Sequence, residues 1–351
     1  MKRQLLGVAA FMLALSAHAQ DNPLWMRYCA ISPDGTSIAF TYKGDIYTVP
    51  VNGGKAAQIT TNAAHDTHPV WSPDGKQIAF ASDRMGSMDI FVVDREGGIP
   101  KRLTTHSGNE TPVAFKDADH ILFLANVMPS AEDAQFPSGQ FQQVYEVSTT
   151  GDRPVMFSSM PMEDISINKT GNALLYHDKK GYEDPWRKHH TSSITRDIWL
   201  CSLDGKRSYR KLTSFNGEDR TPVWASDGKS FYYLSEEKGS FNVFKRALDG
   251  TSSTQLTHHT KHPVRFLTAA DNGTLCYGYD GEIYTMKEGT EPRKVQISIL
   301  TDKNDKDLIR QIRRNGATEI ALSPDAKEVA FILRGDVYVT SCLLYTSPSP
   351  R

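Results

Sequence analysis

Along nearly the whole chain, short apolar runs alternate with polar positions and are broken by turns containing Pro or Gly. Helical spacing is almost absent, apart from an ambiguous stretch near Asp305 to Arg313. The pattern therefore predicts strands. Its clearest copy runs Pro69-Val-Trp-Ser-Pro-Asp-Gly-Lys-Gln-Ile-Ala-Phe80, then Asp89-Ile-Phe-Val-Val93, then Lys101-Arg-Leu-Thr104. An apolar strand leads into Ser-Pro-Asp-Gly, where Pro pre-sets φ and Gly supplies φ > 0, so an antiparallel partner follows directly. A third strand carries the Asp-Ile-Phe element, and a fourth ends at Leu-Thr.

This unit recurs. The turn returns as Ser32-Pro-Asp-Gly35, Ser226-Asp-Gly228 and Ser323-Pro-Asp325, with degenerate copies at Asn168-Lys-Thr-Gly171 and Asp271-Asn-Gly273 and around Lys116 to Asp119. Counted from Ile46, the third-strand element recurs at spacings of 44, 54, 54, 45, 40 and 54 residues. Four strands per unit at such a period is the signature of a β-propeller blade. Units begin near Leu24, Thr67, Thr111, Glu163, Thr221 and Pro263 and end near Val295. The expected fold is all-β: a six-bladed β-propeller of four-stranded antiparallel blades over 20–295, a polar linker over 296–317, and the first strands of a second propeller, expected to be seven-bladed, over 318–341. A seventh blade of the same ring is the alternative for that last segment. Each unit holds its own four strands, so the ring is expected to close by packing of blade one on blade six, with no borrowed strand.

Both ends carry other signals. Lys2 and Arg3, the apolar run Leu5 to Leu15 and the small residues of Ala17-His-Ala19 form a secretory signal peptide over 1–19, with cleavage near Ala19–Gln20. The run is too short to span a bilayer, and no membrane span is expected after cleavage; the expected compartment is the periplasm. Residues 342–351 resemble the translated read-through of a sequencing adapter, so the natural sequence is expected to continue beyond Ser341. With 40 Lys+Arg against 41 Asp+Glu, the chain has no basic footprint for nucleic acid. Cys29, Cys201 and Cys276 form no C-x-x-C pair, which removes a zinc knuckle or redox motif. Buried free thiols are expected, since spacing alone does not establish a Cys29–Cys276 bridge.

Little in the chain points to chemistry. No H-E-x-x-H accompanies the eleven His, and no ligand set shares one face, so neither metal nor cofactor is expected. No G-x-S-x-G elbow is present, and catalytic residues are none. The repeated Asp of the third-strand element reads as structural, because catalysis needs a unique constellation. Loops carry function more often than strands, which directs attention to two inserts between second and third strands, Val127 to Gln140 in blade three and His177 to Thr195 in blade four. The second concentrates Lys179, Lys180, Arg187, Lys188, His189 and His190 beside Trp186. Of these, Arg187, Lys188, His189 and His190 are the candidate substrate-binding residues, since Arg grips a carboxylate bidentately. A solvated loop or a packing surface is the other reading.

The blade elements, the order of six blades followed by a restart, and the segment Glu183-Asp-Pro-Trp-Arg-Lys-His-His-Thr-Ser-Ser-Ile-Thr-Arg-Asp-Ile-Trp199 make Asn22 to Ser341 resemble the amino-terminal part of tricorn-like serine peptidases. The resemblance implies a six-bladed ring that channels peptides or unfolded polypeptides toward an enclosed Ser-dependent site, within a homo-oligomer. It also implies a later seven-bladed ring, a PDZ domain and a catalytic domain, all beyond Ser341, so the present chain should be inactive alone. Where the family implies a basic pair that anchors a peptide carboxyl terminus, the blade-three insert has Glu132 and Asp133 and no Lys or Arg. Arg187 and Lys188 are left as substitutes. A TolB-like periplasmic protein-binding propeller without catalysis is the alternative, and the gate of a prolyl-oligopeptidase-like enzyme is a third.

Overall fold

In the computed structural model, residues 23–126, 141–182, 186, 194–299 and 314–341 are described. Residues 1–22, the blade-three insert 127–140 and residues 342–351 lie outside them.

Six antiparallel sheets each contain four strands in chain order. Their first strands, Arg27–Ile31, Asp66–Trp71, Glu110–Phe115, Met162–Ile167, Asp219–Trp224 and Arg265–Ala269, stand innermost. Each touches the first strand of both neighbours, and the sixth touches the first. The ring is closed.

Each blade lies between two others, so both faces of its middle strands must be apolar. Every seam has its own core. Ala39, Ile46 and Phe80 fill the seam of blades one and two, Leu175, Phe231 and Phe244 that of four and five, and Phe40, Cys276 and Ile283 the closing seam of six and one. Indole groups clasp neighbours: Trp71 Nε1 donates to Ala30 O and Trp224 Nε1 to Ser166 O, each at 2.9 Å.

The repeated residues hold the blades' own geometry. In the first turn Ser32 Oγ donates to Asp34 Oδ1 at 2.5 Å and accepts the Ser37 N–H at 3.0 Å. That Ser32 hydroxyl, chiefly, pulls the Asp34 carboxyl down to about 2. Thr60, Thr104, Thr213 and Thr257, the last residues of the Leu-Thr elements and their equivalents, accept the N–H of Ile46, Ile90, Ile198 and Val243 at 2.9 Å. Acids at third-strand starts pair with the fourth strand: Asp89 with Arg102, Asp197 with Lys211 and Glu282 with Lys294, all at 2.8 Å. Repetition of these acids therefore reflects strand pairing.

The closing seam departs from expectation. Residues 297–299, read as linker, form a fifth strand, Ile297–Ile299, parallel to the outermost strand of blade one, Gly54–Gln58. Val295, Ile297 and Ile299 are buried in the seam core. Gly53, at φ 88°, makes the approach possible, because a Cβ there would lie 2.4 Å from Gln296 O. A strand of three residues is too short to register as a periodic pattern, and its partner lies nearly the whole ring away in sequence.

After the ring, Ala317–Leu322, Glu328–Leu333 and Asp336–Ser341 form a separate three-stranded antiparallel sheet. Blades six and one already meet, so the ring closes without this sheet. Ile320 and Leu322 of this sheet are 72% and 65% exposed.

Candidate functional site at the axial channel

The inner strands are bulged where they line the axis. Pairing slips between Arg27 and Ala30, Thr67 and Val70, Glu163 and Ser166, Arg220 and Val223, and Arg265 and Thr268. At these slips Tyr28, His68, Asp164, Thr221 and Phe266 take φ of 52°, 55°, 49°, 52° and 58°. A left-handed backbone costs a non-glycine residue about 1–2 kcal/mol, and it persists only where the surroundings impose it. In blade three the equivalent position is Pro112, whose ring forbids positive φ; the pairing there slips without a left-handed residue.

These side chains converge from different blades. The Tyr28 ring lies 3.6 Å from His68 and 4.9 Å from Phe266, centroid to centroid, joining blades six, one and two. On the other side, Thr221 Oγ1 donates to Asp164 Oδ2 at 2.6 Å, joining blades five and four. The Asp164 charge reaches both Tyr28 and His68 across the axis. Enclosure dominates for both rings: it pushes the Tyr28 phenol up and His68 down to about 4, against the opposing pull of Asp164 on the imidazole. His68 is therefore neutral near pH 7.

Behind Asp164 and Thr221 lies a buried ion network. His177 Nδ1 accepts the Thr221 N–H at 3.3 Å, while Nε2 lies 3.2 Å from Glu163. Lys179 Nζ donates to Glu163 at 2.7 Å, and Arg196 bridges Glu163 at 3.4 Å and Glu218 at 3.0 Å. Burial alone would raise the Glu163 carboxyl, but His177, Lys179 and Arg196 together hold it well below the carboxylate range. The network fixes the charged half of the collar.

Trp186, from the blade-four insert, reaches the aromatic half of the collar at Phe266. Its carbonyl accepts from Arg265 Nη2 at 2.8 Å. Its ring sits 4.8 Å from the Arg27 guanidinium and 4.9 Å from that of Arg265, with Phe266 edge-on at 6.0 Å. Both arginines immediately precede a collar residue, Tyr28 or Phe266. Each cation–π contact contributes about 0.5–2 kcal/mol, more as water is excluded. One indole thus ties blade four to blades one and six beside the collar residues.

The sequence-derived candidates Arg187, Lys188, His189 and His190 lie outside the described residues. Of their basic neighbours, Lys179 is held by Glu163, and Lys180 by Asp197 and by Thr195 O at 2.6 Å. Those two lysines are committed to carboxylates within the blade. The collar escaped sequence reading because Tyr, His, Asp, Thr and Phe share no chemistry; their common feature is a position near the start of each unit. His259 stacks on Tyr279 at 3.8 Å and its Nε2 lies 3.0 Å from Tyr277 Oη, and His262 lies 3.2 Å from Asp280. Among the described residues no three His, Cys, Asp or Glu converge as metal ligands, and no helix is long and apolar enough to cross a membrane. The collar presents aromatic surface on one side and a held carboxylate on the other.

Residues 23–292 match the tricorn protease N-terminal β-propeller domain. A tricorn protease homologue of Streptomyces coelicolor is 25% identical over 279 residues, covering 79% of this chain and 25% of its own length. The crystal structure of the tricorn protease superposes with a TM-score of 0.69 at 20% identity, over 91% of this chain and 30% of that one. TolB from Acinetobacter baumannii superposes with a TM-score of 0.54 at 16% identity, over 75% of this chain and 61% of its own. The chain spans about a quarter of the length of the curated tricorn relatives it matches.

Proposed function

The chain belongs to the tricorn protease N-terminal β-propeller family, and on that premise we propose that it is the substrate-gating ring of an exported, tricorn-like serine peptidase that degrades peptides. In this reading the Ser nucleophile belongs to a domain outside these 351 residues, the complete protein is a homo-oligomer, and residues 1–19 direct it to the periplasm. The observation that supports gating is the collar. Five inner-strand residues hold a costly backbone conformation at the axis, and Trp186 is clamped beside them by Arg27 and Arg265. In this reading the collar and the indole limit what passes along the axis to an extended chain. The gate's own contribution is selection by size; bond cleavage belongs to the catalytic domain.

The test compares hydrolysis of peptides of increasing length by the complete gene product and by its Trp186→Ala variant. A gate at the collar predicts kcat/KM rising several-fold for long peptides, with short peptides unaffected because they do not depend on the wide opening. A uniform change across all lengths would remove the gating role. Absence of any Ser-dependent hydrolysis by the complete product, with capture of a protein partner instead, would favour the TolB-like binding propeller.

A further inference from the structure

The seam between blades one and six contains two cysteines about 250 positions apart in sequence. Cys29 lies on the first strand of blade one and Cys276 on the second strand of blade six, and these two strands pack directly on one another. Both side chains are buried in one apolar cluster with Phe40, Ile283 and Ile297. Neighbouring bonds fix the strands' relative position: Cys29 Sγ lies 3.6 Å from Phe266 O, and Ile31 N donates to Thr268 Oγ1 at 3.1 Å. Thr268 is the register partner of Cys276, and after burial it is the Cys29 thiol that most raises the Cys276 thiol, as expected of two thiols in one apolar cluster.

We propose that Cys29 and Cys276 are a disulfide site that covalently closes the propeller when the chain folds under oxidising conditions. Among the described residues, every other tie across this seam is non-covalent: the apolar core, the hydrogen bonds and the parallel strand 297–299. A bond here joins the first blade to the last, and linking distant positions restricts the unfolded chain more than linking near ones.

The chemistry is dithiol–disulfide exchange with an oxidant that is itself a disulfide, such as oxidised glutathione or an oxidoreductase. One cysteine thiolate attacks the oxidant's disulfide, forming a mixed disulfide and releasing one thiol. The second thiolate displaces the other half, so that two electrons pass to the oxidant, which leaves as two thiols carrying the two protons. The thiolate is the reacting species, and burial pushes the Cys276 thiol far up. Exchange therefore belongs to the folding chain, before the seam shuts. Once formed, the bond is shielded from reductants by the same packing.

The test folds the full chain from its reduced, denatured state in a glutathione redox buffer, and in parallel in dithiothreitol. Free thiols are then blocked with a maleimide, and peptides are mapped by mass spectrometry without reduction. The expected result is one cross-linked peptide pair containing Cys29 and Cys276, with faster migration on a non-reducing gel. The thermal midpoint should stand about 5–10 °C above that of the reduced protein. A Cys276→Ala variant should melt at the same temperature in both buffers, whatever its own stability. Chain exported from a bacterial host and blocked before lysis provides a second sample that does not depend on refolding. Folded protein with both cysteines fully blocked in either sample, or a bridge from either one to Cys201 or Cys342, overturns the proposal.

Discussion

Replacing Glu110 by Gln should stabilise the ring at pH 8 and leave it unchanged at pH 4. Glu110 opens the first strand of blade three, is 2% exposed, and accepts a hydrogen bond from the Thr104 hydroxyl. Burial pushes its carboxyl from an ordinary 4.5 up to about 7; the Thr104 hydroxyl opposes this, Asp89 adds to it, and Arg102 opposes it in turn. The folded chain thus holds this proton more tightly than the unfolded one. The associated stability is complete below about pH 4.5 and is lost as pH rises through about 7. At about 1.36 kcal/mol per pK unit, the loss is about 3 kcal/mol by pH 8. Gln carries no charge at either pH and keeps an oxygen to accept from Thr104. Thermal and urea unfolding of the wild type and E110Q, followed by tryptophan fluorescence at both pH values, measure the difference. An equal effect at pH 4 and pH 8, or a lower midpoint for E110Q at pH 8, would refute the assignment of a buried, proton-holding carboxyl. Asp219, pushed up to about 6 chiefly by burial, adds a loss of the same sign as pH rises from about 4 through about 6.

Other perturbations separate the structural devices. Gly53→Ala should detach the strand 297–299, because φ at 88° and a 2.4 Å clash with Gln296 O both oppose a Cβ; limited proteolysis should then cut near residues 296–299, which the wild type protects. Arg196→Ala should cost about 3–5 kcal/mol by leaving the buried Glu218 and Glu163 short of a cation. Adding Glu218→Gln should recover part of that loss in a double-mutant cycle of unfolding midpoints, whereas simple additivity would show that the pair is not coupled.

Much of the ring was legible in the sequence because each blade repeats its own local chemistry. Ser32, Asp34 and Gly35 make a turn from contacts within a few residues, so the same letters return wherever the same turn is needed. The Thr residues of the Leu-Thr elements bond to third strands about fourteen positions earlier, which keeps that signal local as well. The strand 297–299 was not legible, because its partner Gly54–Gln58 lies at the far end of the ring.

The collar was hidden for a related reason. Tyr28, His68, Asp164, Thr221 and Phe266 occupy equivalent bulges, but three meet as rings around Tyr28 and two as a hydroxyl–carboxylate pair, so no common residue type was required. Trp186 attracted notice only as part of a basic insert, while its carbonyl and ring answer to Arg265 and Arg27 from blades six and one. The all-β class, the blade count and the turn chemistry were readable from the residues alone, since these follow from short-range periodicity and backbone preference. Which residues meet at the axis and the closing seam emerged only from the packing of the blades. Closing a ring brings positions hundreds of residues apart into contact, and no local pattern carries that information.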